Sequence, residues 1–455
     1  MNRTGYMFGF SSSNKQITTE TIIESDDNLL LKQGIWAYFL LLIFEGALRK
    51  WFLPGLSTPL LVIRDPIAIW LIYSAWKKKL FPSSIYLTGM VVIGIVGFYL
   101  ALFAGHGNII VAFYGARILL LHFPLMFVIG KVFTREDVLE IGVATLWISI
   151  PMAMLIALQF RSPQSAWVNR GLAGDLAGAG FGGVGEFFRP PGTFSFTLGV
   201  SLFFGFLAPF VFYFWLNPQR INKLLLIAAS GAMLVAIPFS ISRTLFFEIF
   251  LTLSFALIAT LRKPEYIGKI IISIVVGLVV VAFLSQTSYF KTAIGAFIDR
   301  FTIADEAEGG LKGVLGDRFL GGLISAIVDS SNQPLWGSGI GMGTNVGSML
   351  LTGKETFLIS EGEWAREVGE LGPIIGIFVI LLRTGLSLKL TLASYRKMIK
   401  GDLLAWLLLS FGIVILAQGS WAQPTALGFF VMAGGLLIAS LQSEDSISES
   451  IHFNN

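Results

Sequence analysis

The chain lacks cysteine altogether and contains only three histidines among its 455 residues. The absence of cysteine excludes a disulfide framework, a thiolate nucleophile and a cysteine-ligated metal, and three histidines argue against a histidine-built metal cage. Charged residues are also scarce, at 13% of the chain, whereas soluble domains carry about 25%. With 55% hydrophobic residues and a mean hydropathy of +0.76, the composition indicates an integral membrane protein.

The N-terminal segment lacks the features of a cleavable signal peptide. Residues 1–28 are polar, and the apolar run that starts near Leu29 is not followed by a small-residue cleavage site. We expect residues 1–28 to form a polar cytoplasmic tail that is flexible or lies on the surface.

Long apolar runs predict an all-α membrane protein with about twelve transmembrane helices. A helix needs about 20 mostly apolar residues to cross about 30 Å of hydrocarbon, and these runs lack the alternation of a barrel strand. The predicted spans fall near residues 33–52, 58–76, 85–104, 108–130, 138–159, 193–215, 222–241, 243–261, 268–285, 371–391, 403–418 and 424–441.

Basic residues cluster in every second short loop, which predicts that these loops are cytoplasmic. The clusters are Lys77 to Lys79, Lys131 with Arg135, Arg220 with Lys223, Arg262 and Lys263 with Lys269, and Arg396 and Lys397 with Lys400. Both termini, including a tail at 442–455, are then cytoplasmic. Nine spans occupy residues 29–285, with an outer loop at 160–192. A large periplasmic loop covers 286–370, and three further spans occupy 371–441.

The large loop is predicted to contain short amphipathic helices. Apolar and polar residues alternate with helical spacing around Phe297 and again from Arg318 to Val328, a pattern typical of helices that lie on a membrane surface. The glycine-rich stretch PLWGSGIGMGTN, residues 334–345, follows them. It fits neither GK[ST] nor GxGxxG, so we interpret it as a tight turn that brings backbone close to backbone or ligand.

Ionisable residues inside spans are costly and either serve function or hold helices together as ion pairs. They are Glu45, Arg49, Arg64, Asp65, Arg117, His122, Arg243, Glu248 and Arg383. Most of them are expected in the outer half of the membrane, which predicts a polar chamber that opens outward. The structural alternatives are an Arg64–Asp65 pair before Pro66, an i,i+4 pair of Glu45 with Arg49, and a satisfied core His122.

Two arginines are predicted to meet at the outer membrane surface. Arg189 precedes a stiff proline pair at the mouth of a span, and Arg243 ends a tight turn, SISR, between two spans. Two planar guanidinium groups suit a phosphate or diphosphate, because each can donate paired charge-assisted hydrogen bonds. The alternative for either arginine alone is contact with phospholipid headgroups.

The order of these motifs resembles that of a known family. RPPGTFSF at 189–196, SISR at 240–243, GDRFLGGLISA at 316–326, QPLWGSGIGMG at 333–343 and GELGPIIG at 369–376 together resemble the O-antigen ligase and O-antigen polymerase superfamily, membrane glycosyltransferases of the GT-C type. The resemblance covers about residues 60–440.

The resemblance implies transfer of a glycan from a polyprenyl-diphosphate carrier to an acceptor sugar hydroxyl at the periplasmic face of a bacterial inner membrane, without metal, nucleotide or other cofactor. Arg189 and Arg243 match the family's arginines and are expected to hold the diphosphate. Arg318, Arg117, Arg64 and Arg366 are predicted to support the site. The expected partners are the lipid-linked donor, a glycan or lipid-linked acceptor and membrane lipids, with no nucleic acid.

The acid-rich stretch ISEGEWAREVGELG, residues 359–372, is predicted to supply the catalytic base. Many family members place a histidine nine residues before the glutamate of an E-x-G-x-x-G element, and counting back from Glu370 gives Glu361. We therefore expect Glu361 or Glu363 to accept the proton of the acceptor hydroxyl. The alternative is a solvated helix start, in which Glu363, Arg366 and Glu370 pair along one face.

Three functions remain open at this level. The first is a polysaccharide polymerase or ligase, with the missing histidine slightly favouring a polymerase. The second is a transporter or flippase of lipid-linked oligosaccharides, although no internal repeat of the kind common in transporters is evident. The third is a non-catalytic assembly partner, for which Arg189, Arg243 and Glu361 would tolerate substitution.

Overall fold

A computed structural model describes residues 13–262, 266–308, 334–354 and 356–442. The structure is about 77% helical, and within the described ranges ten helices are long and apolar enough to cross a membrane. Two shorter apolar helices, Lys223–Phe239 and Leu404–Gln418, lie at the other two predicted spans. These findings confirm a helical chain and fit a multi-pass membrane protein.

The elements follow each other along the chain with short connections. The helices are α1 (Ser13–Ala47, continued by a π-helical turn at Leu48–Phe52), α2 (Arg64–Lys77), α3 (Ile85–Phe103), α4 (Ile109–Arg117, continued by a π-helical turn at Ile118–His122), α5 (Phe123–Val132), α6 (Arg135–Arg161), α7 (Leu198–Leu216), α8 (Lys223–Phe239), α9 (Arg243–Arg262), α10 (Ile267–Leu284), α11 (Ser288–Glu308), α12 (Asn345–Thr352), α13 (Glu363–Ile399), α14 (Leu404–Gln418) and α15 (Pro424–Leu441). A single turn at Ser57–Leu60 and short 3-10 turns at Pro54–Leu56, Trp167–Asn169, Leu172–Gly174 and Pro218–Arg220 complete the helical parts. Strands β1 (Phe181–Val184) and β2 (Phe187–Arg189) form an antiparallel hairpin.

Helix α7 lies at the centre of the bundle. Its sequence LGVSLFFGFLAPFVFYFWL is apolar on all sides, as expected of a helix surrounded by other helices. It packs against α6, α8, α9, α14 and α15, and nearly all of its side chains are buried. Helix α10 is its opposite, because Ile270 is its one buried side chain and its other apolar residues face outward, where lipid would cover them.

Several boundaries differ from the prediction. Helix α1 already begins at Ser13, inside the predicted polar tail. Helix α13 begins at Glu363 instead of 371 and contains a break at Gly372, whose φ of +80° precedes Pro373. The charges of residues 363–370 suggested a loop, but they pair with one another and so can enter a buried helix. The predicted helix from Arg318 to Val328 lies outside the described residues.

One end of the bundle gathers the segments that the sequence marked as functional. Lys50 bonds to Gly192, Arg49 to Ser195, and Glu363 to Trp421. These contacts bring together the end of α1, the segment after the hairpin, the start of α13 and the turn before α15. We call this the site end. At the opposite end, Arg135 pairs with Asp402.

Candidate functional site

Three arginines converge at the site end. Arg189 is the last residue of β2, Arg243 the first of α9, and Arg300 lies in α11. Burial lowers the pKa of Arg189 to about 10, and the positive charges of Arg300 and then Arg243 lower it further. The Arg189 Nε is buried without a hydrogen-bond partner. Among the described residues no carboxylate contributes to its pKa, so the surroundings of Arg189 favour an added anion.

The chain after Arg189 is held by α1 and α6. The Lys50 amine, 1% exposed, donates to the Gly192 carbonyl at 2.7 Å. Gln159 donates to the same carbonyl at 3.2 Å and accepts from the Gly192 N–H at 2.7 Å. Thr193 Oγ1 donates to the Ile43 carbonyl at 2.6 Å. These bonds fix the turn that follows Pro190 and Pro191, and the sequence analysis did not single out Lys50.

Backbone-to-backbone packing reinforces this attachment. A Cβ at Gly46 of α1 would lie 2.3 Å from the Ser195 nitrogen, so a larger residue would displace the segment. Arg49 donates to Ser195 Oγ at 3.0 Å and to the Ser57 carbonyl at 2.8 Å. The start of the span that follows the hairpin is therefore docked rigidly on α1.

The predicted SISR turn is confirmed. Helix α8 ends at Phe239, and α9 begins at Arg243. Ile241 adopts a φ of +49°, an unusual conformation for a β-branched residue that marks local strain. The Ser242 hydroxyl bonds to the Ser201 hydroxyl at 2.7 Å, which ties the turn to the central helix α7 and fixes where Arg243 starts.

Helix α11 positions Arg300 through aromatic contacts. Phe246 of α9 packs against Phe297 and Phe301 with ring centroids 6.1 and 5.9 Å apart, and Phe239 packs against Phe290 at 6.1 Å. The predicted helix around Phe297 therefore exists, and it packs on α8 and α9. Sequence reasoning missed Arg300, although its position on the polar side of an amphipathic helix was a usable signal.

An apolar groove of about 480 Å³ lies beside these elements. Phe160, Phe187, Phe239 and Tyr289 line it, and Arg161 lies 4.1 Å from the Tyr289 ring centroid. Phe187 belongs to the strand that ends in Arg189, and Tyr289 to the helix that carries Arg300. The groove and the arginine cluster therefore share their supporting elements.

A second charged group lies entirely inside the protein at the start of α13. Arg366 donates to Glu363 at 2.7 Å and to Glu370 at 2.5 Å. Arg383 donates to Glu363 at 3.2 Å and also to Glu367. All five side chains are buried, and the cavity beside them measures only about 10 Å³, room for about one water. Charge here is paired inside the helices instead of facing the predicted open chamber.

The remaining contacts of this network fix it to α14 and α15. The Trp421 N–H donates to Glu363 at 3.1 Å, and Arg383 stacks on the Trp421 ring at 3.6 Å. Arg383 also donates to the carbonyls of Leu416 and Gly419 at 3.2 and 2.7 Å. The predicted pairing of Glu363, Arg366 and Glu370 is confirmed, but the expectation that this helix start is solvated is wrong.

The two predicted base candidates occupy different environments. Glu361 is exposed and precedes α13, whereas Glu363 is 5% exposed and bonded to both arginines. The sequence pattern also needs a correction, because E-x-G-x-x-G begins at Glu367 and not at Glu370. Nine residues before Glu367 is Leu358, so the motif does not single out Glu361. Its solvent exposure is what distinguishes it from Glu363.

The charges of α1, α2 and α4 form a further buried network. Arg64 and Asp65 do not pair with each other, which corrects one structural alternative. Instead Arg64 pairs with Glu45 at 3.1 Å, and Arg117 pairs with Asp65 at 2.5 Å. The pair of Glu45 with Arg49 is confirmed at 3.4 Å.

His122 is confirmed as a satisfied core histidine, since it contacts Asp65 at 3.0 Å and Tyr38 at 3.1 Å. Of the predicted supporting arginines, Arg64 and Arg117 thus hold helices together near the docked segment, and Arg366 belongs to the α13 network. Arg318 lies outside the described residues.

The predicted close backbone turn in the glycine-rich stretch is confirmed. Ser338 and Gly339 donate to the carbonyls of Gly369 and Glu370 at 2.8 and 2.9 Å. A Cβ at Gly115 would lie 2.3 Å from the Gly341 nitrogen. The stretch therefore bridges α4 and α13, and its glycines meet backbone.

No protein-family model matches the chain, and no curated protein sequence matches it. In the described part of the chain, no three His, Asp or Glu side chains are grouped as metal ligands would be.

Proposed function

We propose that this chain is a membrane glycosyltransferase that moves a glycan from a polyprenyl-diphosphate carrier to an acceptor sugar hydroxyl, as an O-antigen or exopolysaccharide polymerase or ligase. The observation that carries the proposal is the convergence of Arg189, Arg243 and Arg300 at the site end. The site end is proposed to face the periplasm or exterior of a bacterial inner membrane, consistent with the basic loops at the other end.

The arginine cluster suits a diphosphate better than a single carboxylate. Like charges repel one another, and burial adds a desolvation cost for Arg189. A ligand with several anionic oxygens offsets both, because guanidinium groups donate paired, charge-assisted hydrogen bonds to phosphate oxygens. The buried and unpartnered Arg189 Nε supplies one donor that is already desolvated.

The adjoining groove favours a lipid-linked donor over a soluble one. Its walls are mostly aromatic, and its volume of about 480 Å³ lies within the range of about 300–1,000 Å³ that is usual for ligand sites. An apolar carrier chain in this groove would leave its diphosphate beside Arg189 and Arg300.

The proposed reaction needs few groups from the protein. The acceptor hydroxyl oxygen forms a bond to the anomeric carbon of the donor sugar, and the bond from that carbon to the diphosphate oxygen breaks. The diphosphate leaves with the electron pair and is stabilised by the arginines. The hydroxyl proton passes to a carboxylate, for which we propose Glu361 because Glu363 is enclosed by Arg366 and Arg383. No cofactor is required.

A transfer assay tests the proposal. Purified protein in lipid nanodiscs would receive a polyprenyl-diphosphate oligosaccharide from its own host, with EDTA present, and products would be resolved by size. We expect a product with the native chain and with Arg396→Ala, an exposed arginine at the other end, but not with Arg189→Ala. A ladder would indicate a polymerase, and a single larger product a ligase. Donor movement across a liposome bilayer without any product would support a flippase instead.

A further inference from the structure

A second groove, of about 520 Å³, lies at the end of the bundle opposite to the arginine cluster. It is formed by the first turns of α6, the last turn of α7 and the 3-10 turn at Pro218–Arg220. Leu139, Val143 and Trp147 follow one another at i,i+4 along α6 and form its wall together with Ala144 and Phe214. Trp147 is 59% exposed, so this wall faces outward.

The mouth of this groove carries charges of both signs. Glu136 and Glu140, one helical turn apart, and Arg220 stand at the start of the apolar wall. Arg220 donates to Glu136 at 3.0 Å, but both side chains are about half exposed or more, at 48% and 67%. Such a surface pair contributes about 0–1 kcal/mol, so a ligand can replace it at little cost. Glu140 is exposed, and the described part of the chain shows no ion pair for it.

We propose that this groove binds a zwitterionic phospholipid with a primary ammonium group, that is, a phosphatidylethanolamine-type lipid. One acyl chain would lie along Leu139, Val143 and Trp147, inside the hydrocarbon region. The phosphate would contact Arg220, and the ammonium would donate to Glu140 and Glu136. A site with two carboxylates and one guanidinium matches a headgroup that carries one phosphate and one ammonium.

The charge arrangement also predicts which lipids bind poorly. A phosphatidylglycerol headgroup has no cation, so it would leave the two carboxylates facing an anion. A choline headgroup has no N–H group to donate. The site lies on the side with the basic loops Lys131 with Arg135 and Arg220 with Lys223, and its occupation does not depend on the glycosyltransferase proposal.

Native mass spectrometry of the full chain with ethanolamine, choline and glycerol phospholipids of identical acyl chains tests this inference. We expect the ethanolamine lipid to be retained about five to ten times more often, the size of one charge-assisted hydrogen bond. Glu140→Gln should remove this preference, and Arg220→Gln should weaken retention of all three lipids. Glu186→Gln, an exposed glutamate at the site end, should change neither. Equal retention of the three lipids by the native chain, or a preference unchanged in both groove variants, would overturn the inference.

Discussion

The Lys50 amine donates a 2.7 Å hydrogen bond to the Gly192 carbonyl inside the protein. This bond joins the end of α1 to the turn that follows Arg189, and Lys50 is 1% exposed. A buried ammonium is costly unless hydrogen bonds compensate for lost hydration. The cost is retained here at the point where the chain delivers Arg189, so we regard Lys50 as a positioning residue of the arginine cluster.

Lys50→Met tests this role, since methionine keeps much of the volume and removes the donor. A hydrogen bond to a charged group contributes about 1.5–3 kcal/mol, and its loss should free the turn after Arg189. We expect kcat/KM for glycan transfer to fall at least about tenfold while the amount of folded protein stays within about twofold. Lys400→Met, at an exposed lysine of the other end, serves as the control. Unchanged transfer by Lys50→Met would show that the bond is dispensable.

Glu361→Gln and Glu363→Gln should separate chemistry from stability. Glu361 is exposed, so its amide variant should fold normally but lose a large factor in kcat, of the order of 10². Glu363 neutralises Arg366 and Arg383, so its variant should lower the thermal unfolding temperature. Transfer rates and unfolding temperatures measured on the same samples check both. A stable but inactive Glu363→Gln would move the base to Glu363.

Arg383→Leu should destabilise the α13 network strongly. Removing one partner of a buried ion pair costs about 3–5 kcal/mol, because the other charge stays buried and unpaired. Arg383 is the common partner of Glu363 and Glu367, so we expect a large drop in unfolding temperature. Adding Glu367→Gln should recover part of the loss, whereas adding Glu361→Gln should recover none. Equal unfolding temperatures for Arg383→Leu and the native chain would contradict the network.

Arg189→Lys should make transfer sensitive to pH near neutrality. The surroundings lower the pKa of Arg189 to about 10, so the native guanidinium stays charged at pH 7–9. The same surroundings would bring the pKa of a lysine, ordinarily about 10.4, towards roughly 8. Since the cation is the binding form, kcat/KM of the variant should fall as pH rises from 7 to 9, while that of the native chain should not. Parallel profiles would mean that residue 189 does not contact the anion.

The helices could be predicted from the sequence because their signal is local. Apolar runs located the spans, and the basic loops matched the alternation of helix ends. The extra residues of α13 were missed because Glu363, Glu367 and Glu370 look solvated until Arg383, from two or more turns further along the helix, is placed beside them.

The site could be predicted only in part for the same physical reason. Arg189 and Arg243 stood out because each lies beside a proline pair or a tight turn. Arg300 and Lys50 depend on contacts between segments far apart in the chain, such as Lys50 with Gly192. Arg64 and Asp65 look like partners in sequence, but as neighbours in one helix they point in different directions and find Glu45 and Arg117 instead.

The central claim is that Arg189, Arg243 and Arg300 form one diphosphate site, and lipid-donor binding tests it most directly. Binding of a polyprenyl diphosphate would be measured in nanodiscs against the matching monophosphate, for the native chain, Arg189→Ala, Arg300→Ala and the control Arg396→Ala. We predict that the native chain and the control prefer the diphosphate at least about tenfold, and that each cluster variant loses most of this preference. Full preference in both Arg189→Ala and Arg300→Ala would contradict the claim.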